Sequence, residues 1–344
     1  MKNLLMKVSM VIGVAVTGVA QSEPVTLRLH NHLPPTALPV AEVIKPWVEK
    51  VEKESGGKIK IQIYPSMQLG GTPAQLLDQT RDGVVDMTWV NIGYTPGRFT
   101  ASEVFELPFM IRSSEGASKA LWEYFETNKL AEKEYRHWKV IGLNVHDAGQ
   151  IHTVKKQIQS MEDFKGLKIR APSRVTTRLV EVLGGSPVGM PITQVAESLS
   201  KAVIDGAILP WEIVPAIRAQ EMVSYHTETD PKDKALYTSV FVFAMNKSKY
   251  ESLDSDVKKV IDNNGGYAYA SFAGKAWDSS VPKARKYAET RGNKFNKIEG
   301  AELAKWKNAA KAVEVEWIQD AGKKGIDANS LLTSAKSLLK KHDE

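Results

Sequence analysis

The chain has 344 residues, a formal net charge of +6 and no cysteine. The lack of cysteine excludes disulfides, thiol catalysis and cysteine-bound metals. The basic residues are scattered and form no stripe interleaved with aromatic residues, so a nucleic-acid partner is not expected. A mild positive charge favours anionic ligands instead. The length favours two lobes, at roughly 150 residues per domain.

Residues 1–20 have the pattern of a secretory signal peptide. Lys2 and Lys7 give a positive start, residues 8–16 are apolar, and small residues lead up to Ala20. The apolar run is shorter than the roughly 18 residues that cross a bilayer, and no later run reaches that length. We therefore expect a periplasmic protein that is not embedded in the membrane and that acts as a monomer.

The first half of the chain alternates predicted strands with predicted helices. Strand-forming residues favour strands over residues 25–31, 59–64 and 84–90. An amphipathic helix is predicted over residues 38–53, and a second helix begins after Thr72, a suitable N-cap before a proline. This repetition is typical of a doubly wound α/β lobe.

The second half repeats this pattern around Arg170. A short apolar strand ends at this arginine, and a helix, a strand, another helix and a third strand follow. Residues 75–86 also align with residues 194–205 without a gap, which favours two similar lobes with a ligand cleft between them. Ligands of open α/β sheets bind beyond the carboxyl ends of strands, and a guanidinium group matches a carboxylate with two parallel hydrogen bonds. On composition alone, an exposed arginine is the commoner case.

The last third of the chain begins with one more strand. Residues 240–246 are apolar and strand-forming, and residues 255–341 have helical periodicity almost throughout. We expect these helices to form a covering layer.

Four motifs stand in a specific order along the chain. They are Pro65-Ser-Met-Gln-Leu-Gly-Gly, Glu106-Leu-Pro-Phe, Lys165-Gly-Leu-Lys-Ile-Arg-Ala-Pro-Ser and Ala244-Met-Asn-Lys. In this order they resemble the solute-binding subunits of tripartite ATP-independent periplasmic (TRAP) transporters. The resemblance implies an α/β fold of the two-lobed periplasmic-binding-protein type (venus flytrap, type II-like), with an interlobe ligand cleft and extra C-terminal helices. It also implies that Arg170 binds a substrate carboxylate, and that a small and a large membrane subunit are the partners.

The resemblance also implies how the chain divides between the lobes. Lobe I is expected to contain residues 24–148 and 240–278, because the strand at 240–246 returns to the first lobe. Lobe II is expected to contain residues 149–239 and 279–344, including the C-terminal helical layer.

Two departures from the family pattern concern the ligand. Many members have an asparagine where Leu209 stands, and sialic-acid or dicarboxylate binders have a second arginine near the position of Gln150. The pocket is therefore expected to be less polar and less cationic than theirs. The Pro210-Trp-Glu and Gly93-Tyr-Thr-Pro-Gly-Arg-Phe segments resemble the branch that takes aromatic monocarboxylates such as benzoate or hydroxybenzoates.

Five further residues are candidates for ligand binding, and four of them have a structural alternative. Trp211 and Trp89 offer faces on which a ring can stack. Trp211 suits a sheet core equally well, and the alternating strand position of Trp89 favours the core. Tyr94 lies in a loop bounded by glycine and proline, which favours a functional role. Thr72, at a helix start, contacts an anion or acts only as an N-cap, and Arg174 reaches the cleft or lies on a solvated helix face.

Asn31 and several histidines complete the candidates. His30 and His32 share one face of a strand, and His146 or His152 could join them across the cleft. Two histidines alone are not a zinc site, which takes three or four ligands, and no His-Glu-x-x-His spacing is present. We expect no metal, and expect Asn31, His32 and His146 to hydrogen-bond to the ligand.

The function favoured by these observations is ligand binding without catalysis or a cofactor. The sequence has no Gly-x-Ser-x-Gly elbow, no phosphate-binding loop and no dinucleotide fingerprint. Three alternatives stay open: a binder of small 2-oxo or 2-hydroxy acids, a sensory protein that feeds a membrane receptor, and a periplasmic enzyme acting on a carboxylate.

Overall fold

The computed structural model describes residues 23–344, which form two mixed β-sheets with helices packed against them. The predicted signal peptide, residues 1–20, lies outside the described residues. In the described part of the chain, no helix combines the length and the apolar character needed to cross a membrane.

The secondary-structure elements are numbered in chain order. The strands are β1 (Val25–Asn31), β2 (Ile59–Tyr64), β3 (Met87–Asn91), β4 (Trp138–Val145), β5 (Gln150–Thr153), β6 (Lys168–Ala171), β7 (Ser186–Gly189), β8 (Gly206–Leu209), β9 (Tyr225–Thr229), β10 (Val240–Asn246) and β11 (Lys294–Ile298). The α-helices are α1 (Lys45–Glu54), α2 (Leu76–Arg81), α3 (Ser114–Thr127), α4 (Arg174–Val182), α5 (Val195–Ser200), α6 (Ile213–Ala216), α7 (Lys247–Glu251), α8 (Ser255–Asn263), α9 (Gly266–Thr290), α10 (Gly300–Lys323) and α11 (Ala328–His342).

Each sheet is the centre of one lobe. The first sheet has the order β2-β1-β3-β10-β4, and the second has the order β11-β9-β5-β8-β6-β7. Strand β10 pairs antiparallel with both β3 and β4, so the chain returns to the first sheet after building most of the second. The two-lobed α/β fold expected from the sequence is thus confirmed.

The internal repeat corresponds to the same local structure in both lobes. After α2, the carboxylate of Asp86 accepts a hydrogen bond from the backbone N–H of Arg28 at 2.7 Å. After α5, the carboxylate of Asp205 accepts one from the backbone N–H of Lys168 at 2.9 Å. Each aspartate therefore fixes a helix-to-strand turn against the neighbouring strand, which explains why the two segments have similar sequences.

The C-terminal region differs from the predicted layer in two respects. Residues 294–298, predicted as helical, form β11 at the edge of the second sheet. Helix α9 ends at Thr290, and Gly292 follows its C-cap with a φ of +79°, in the left-handed region that terminates helices. The last helix, α11, packs against α3 of the first lobe. It is fixed there by the Asp343 carboxylate, which accepts hydrogen bonds from the backbone N–H groups of Arg112 and Ser113.

Helix α9 contacts both lobes. It packs against α3 and β4 of the first lobe and against α6 of the second. The expected boundary between residues 278 and 279 falls inside this continuous helix of 25 residues. The lobe boundaries stay a prediction. Helix α9 packs against both lobes and belongs to neither alone.

Candidate ligand-binding site

A small cavity of about 40 Å³ lies between the lobes, at the ends of strands from both sheets. His32 follows β1, Trp89 is on β3 and His146 follows β4, so these three side chains reach the cavity from the first lobe. Arg170 on β6 and Leu209 on β8 reach it from the second lobe. The structure therefore brings together residues that lie far apart in the sequence.

Arg170 is buried, with 3% of its surface exposed, and its side chain is fixed by backbone carbonyls. Its Nε donates to the carbonyl of Met190 at 3.0 Å, and its Nη1 donates to the carbonyl of Ile208 at 3.3 Å. Within residues 23–344, no carboxylate oxygen lies within 4.0 Å of its guanidinium nitrogens. Because a guanidinium has five N–H donors, the group retains donors for an anion that enters the cavity.

The two cavity histidines are neutral at physiological pH. Burial, together with the positive charge of Arg170, lowers the pKa of His32 to about 3. Burial likewise lowers the pKa of His146 to about 3. The positive charge at the cavity wall therefore comes from Arg170.

Aromatic rings form much of the remaining wall. Trp89 stacks on Phe241, with ring centroids 4.4 Å apart and an angle of 9° between the planes. His32 stacks against Trp89 at 6.0 Å and meets Tyr94 edge-on at 5.5 Å. Tyr237 also lines the cavity. Such a wall suits a flat, apolar ring better than a polyhydroxylated chain.

Tyr94 joins the two lobes across the cleft. Its hydroxyl oxygen accepts a hydrogen bond from the backbone N–H of Ile192 in the second lobe at 3.1 Å. The adjacent Gly93 has no space for a side chain, since a Cβ there would lie 2.5 Å from the Cβ of Ser173. The two lobes are therefore in direct contact beside the cavity, in a closed arrangement.

Four of the predicted site residues do not line the cavity, and two of these, Trp211 and Asn31, are buried beside it. Trp211 is buried in the second lobe, where its Nε1 donates to the Glu228 carboxylate at 2.9 Å and its ring packs beside Phe295. Asn31 is also buried, and its Oδ1 accepts the backbone N–H of Leu33 at 2.9 Å. In both cases the side chain is held by contacts within the protein.

Thr72 and Arg174 border a neighbouring pocket of about 480 Å³, which shares Tyr94 with the cavity. Thr72 is the N-cap of a short 3-10 helix, and its backbone N–H donates to the Gln75 side chain at 2.8 Å. Arg174 forms ion pairs with Glu103 of the first lobe and Asp320 of α10. Its charge is therefore compensated by protein carboxylates.

The two departures from the family pattern lie in different places. Leu209 lines the cavity and gives it an apolar surface. Gln150 does not line it: its amide donates to the carbonyl of Ala148 at 3.1 Å and accepts the backbone N–H of Thr229 at 3.3 Å. Within residues 23–344, Arg170 is the one lysine or arginine that lines the cavity.

The histidines do not form a metal site in the part of the chain that the structure describes. No group of three or more His, Cys, Asp or Glu side chains there is arranged to hold a metal ion. His30 hydrogen-bonds through Nδ1 to the Gln79 side chain at 2.9 Å, away from the cavity. His152 pairs with His226 inside the second lobe.

Sequence reasoning missed several cavity residues. Glu212 lines the cavity, although only its neighbour Trp211 was singled out. Tyr237, Ser239 and Phe241 also line it. Their alternation at every second residue is the signal that could have found them, since such residues share one face of an extended segment.

The fold and the cavity define the class of this protein. A closed cleft between two α/β lobes suits a small organic anion when it has an aromatic wall and a buried guanidinium that no carboxylate pairs within residues 23–344. The chain belongs to the bacterial extracellular solute-binding proteins, family 7, whose model matches residues 30–320.

Solved structures and a curated relative agree with this assignment. A TRAP solute-binding protein from Rhodoferax ferrireducens T118, in complex with copurified benzoate, is 45% identical with a TM-score of 0.90, over 92% of this chain and 98% of that one. A marine metagenome TRAP solute-binding protein specific for aromatic acid ligands, with 3-hydroxybenzoate, is 47% identical with a TM-score of 0.91, over 94% and 100%. A curated relative from Comamonas testosteroni, named outer membrane transporter protein TsaT, is 26% identical over 91% of each chain. The resemblance to TRAP solute-binding proteins is confirmed.

Proposed function

We propose that this protein captures an aromatic monocarboxylate of the benzoate or hydroxybenzoate type and delivers it to the membrane subunits of a TRAP transporter. The observation that carries this proposal is Arg170, a buried guanidinium held by two carbonyls and free of any protein carboxylate within the described residues. A buried charge is stable when it is paired, and the ligand carboxylate supplies the pair.

The rest of the wall supports an aromatic monoanion over a dianion. Trp89 and Phe241 provide a stacked aromatic surface, and Leu209 is apolar where many family members have an asparagine. A second carboxylate would find neutral histidines and no second arginine, so its desolvation would be uncompensated. The two relatives with benzoate and 3-hydroxybenzoate support the same ligand class.

These contacts are sufficient for micromolar affinity, which requires a binding free energy of about 8 kcal/mol. A charge-assisted bidentate pair with Arg170 and burial of a ring against Trp89 supply this, after the cost of ordering the ligand. Hinge closure of the two lobes then removes the ligand from water.

We infer further that binding involves no chemical change and no cofactor. Family 7 consists of solute-binding proteins, and the two solved relatives hold intact acids. In this proposal the protein works in the periplasm, and the small and large membrane subunits recognise the closed form. Recovery of a chemically altered acid after incubation with the protein would favour the enzyme alternative.

A thermal-melt screen of the protein lacking residues 1–20 tests the proposal. The panel contains benzoates, aryl-oxo acids, small 2-hydroxy and 2-oxo acids, dicarboxylates and sugar acids. At a thousandfold excess over the dissociation constant, an aromatic acid should add about 4 kcal/mol of stability, which is a shift of about 8–16 °C at roughly 2–4 °C per kcal/mol.

Two variants make the screen specific. Arg170→Ala should remove the shift, because a desolvated carboxylate without its partner loses about 2–5 kcal/mol of binding free energy. Arg178→Ala is the matched control: this arginine is on α4, about one-third exposed, and pairs with Glu181 and Glu316. Stabilisation by dicarboxylates or sugar acids alone, or by aromatic acids equally well in Arg170→Ala, would contradict the proposal.

A further inference from the structure

Among residues 23–344, Glu212 is the one acidic residue that lines the cavity. The function proposed above gives it no role. Glu212 is buried, with 6% of its surface exposed. Its Oε1 accepts a hydrogen bond from Nε1 of Trp277 on α9 at 3.3 Å. Its Oε2 is buried and has no hydrogen-bond partner within the protein.

Glu212 is not the counterion of Arg170. No oxygen of Glu212 lies within 4.0 Å of the Arg170 guanidinium, although both side chains line the same cavity. Burial, and the nearby carboxyl of Asp147, raise the pKa of Glu212 well above its usual range. The cavity thus has two separate polar positions, a cationic one at Arg170 and an acidic one at Glu212.

The two positions require different groups from a ligand. Arg170 has only donors and therefore binds the carboxylate. A carboxyl group with a raised pKa can carry a proton, so Oε2 of Glu212 can donate as well as accept. In either state, a buried Oε2 without a partner is unfavourable when it faces hydrocarbon. Two hydroxyl groups without partners in the protein, those of Tyr237 and Ser239, also line the cavity. A ring hydroxyl both donates and accepts, so it can pair with Oε2 whether Glu212 is protonated or not.

On the basis of the function proposed above, we propose that Glu212 forms a subsite for a ring hydroxyl, so that the protein prefers hydroxylated aromatic monocarboxylates to benzoate itself. An unsubstituted ring would leave Oε2 against carbon. Sites built to bind a substrate hydroxyl discriminate against the analogue that lacks it.

Isothermal titration calorimetry with a matched ligand series tests this subsite. The ligands are benzoate and its 2-, 3- and 4-hydroxy derivatives, titrated into the protein lacking residues 1–20. At least one hydroxy isomer should bind about tenfold or more tightly than benzoate, which corresponds to one hydrogen bond to a buried group. Equal affinity for benzoate and all three hydroxy isomers would overturn the subsite.

Substitution of Glu212 then assigns the preference to this side chain. In Glu212→Leu the acceptor is replaced by an apolar group, and the ratio of hydroxybenzoate to benzoate affinity should fall to about one or below. Glu197→Leu is the control, because Glu197 is exposed on α5 and pairs with Lys201; it should leave the ratio unchanged. A ratio that survives in Glu212→Leu overturns the proposal.

A second variant covers the case in which Glu212→Leu does not fold. Glu212→Met keeps the length of the side chain but leaves only a thioether, a weak acceptor, beside the ligand ring. The ratio of hydroxybenzoate to benzoate affinity should again fall to about one. A ratio equal to that of the wild-type protein contradicts the subsite.

The outcomes separate the subsite from the function on which it rests. If the wild-type protein binds none of the four aromatic acids, the proposed function fails and the subsite fails with it. If it binds them in an Arg170-dependent manner but without regard to the hydroxyl, only the subsite fails.

Discussion

At the scale of single residues, the cavity wall depends on a glycine that leaves room for a tyrosine. A Cβ on Gly149 would lie 2.0 Å from the ring of Tyr237, far inside van der Waals contact. Tyr237 is almost fully buried and lines the cavity. Any side chain at position 149 must therefore displace a ring of the binding site.

Gly149→Ala should consequently reduce both stability and ligand affinity. Overpacking of this kind costs about 1–3 kcal/mol of unfolding free energy. Gly189→Ala is the matched control, since a Cβ there meets no atom within 4 Å and its φ is not positive. Urea unfolding and calorimetry on both variants check the prediction. A Gly149→Ala protein as stable as Gly189→Ala would show that the Tyr237 ring is not fixed.

Local signals in the sequence account for the positions of some cavity residues and not of others. Arg170, Tyr94 and His32 line the cavity because strand ends and a glycine-bounded loop position them. Their roles in ligand binding stay predictions. For Trp211 the sequence left a ligand wall and a sheet core open, and in the structure Trp211 packs inside the lobe while its neighbour Glu212 lines the cavity. Which of two neighbours faces a cleft depends on how the chain leaves β8, and the sequence does not contain this information.

At the scale of elements, a chain of hydrogen bonds links β5, β9 and β8 inside the second lobe. His226 Nε2 accepts from the Asn293 amide at 2.9 Å, so its proton is on Nδ1. That proton is directed at Nδ1 of His152, 2.7 Å away. His152 then donates through Nε2 to the carbonyl of Leu209 at 3.1 Å. The chain is complete only when both rings are neutral.

Acidification should therefore destabilise this lobe. Burial lowers the pKa of His152 to about 4. Burial, with the charges of His152 and Arg285, lowers the pKa of His226 to about 2. At these two histidines the unfolded chain binds more protons than the folded one below about pH 6.5, so their contribution to stability falls as the pH decreases from there. Per histidine this amounts to roughly 2 kcal/mol at about pH 5.

The variant His226→Phe isolates this effect. It should lose roughly 2 kcal/mol less unfolding free energy than the wild type between about pH 7.5 and about pH 5. Glu106 and Glu134, whose pKa values burial raises to about 7, act in the opposite direction, but they are present in both proteins and cancel in the difference. Equal losses in urea unfolding at the two pH values would contradict the neutral histidine pair.

The elements themselves were largely predictable, with instructive exceptions. The alternating pattern of β1 and the capped start at Thr72 are local signals, and the structure contains both elements. Strand β11 was missed because five residues between two long helices carry little periodicity of their own. Its strand conformation depends on pairing with β9, a contact between distant segments. The packing of α11 against α3 likewise depends on tertiary contacts and not on the local sequence.

At the scale of the whole molecule, closure depends on contacts that cross the cleft. Arg174 of α4 binds Glu103, which is 3% exposed and belongs to the first lobe. Trp317 of α10 donates to the carbonyl of Thr100 at 2.9 Å, and Tyr94 accepts from Ile192. These contacts favour the closed form, which is the form that encloses a ligand.

Arg174→Ala should shift the equilibrium towards the open form. Without its partner, Glu103 would be an uncompensated buried charge when the lobes close, a cost of about 3 kcal/mol. Ligand affinity should then fall about 100-fold, because only the closed state binds fully. Arg178→Ala on the same helix serves as the control. Calorimetry measures the affinities, and an Arg174→Ala protein with unchanged affinity would show that this ion pair does not bias closure.

A crystal structure of the protein with 3-hydroxybenzoate would test the role of Arg170 directly. We expect the ring between the two lobes against Trp89, with both carboxylate oxygens at about 2.7–3.2 Å from nitrogens of the Arg170 guanidinium. A ligand outside this cavity, or one inside it whose carboxylate has no contact with Arg170, would contradict the proposed binding site.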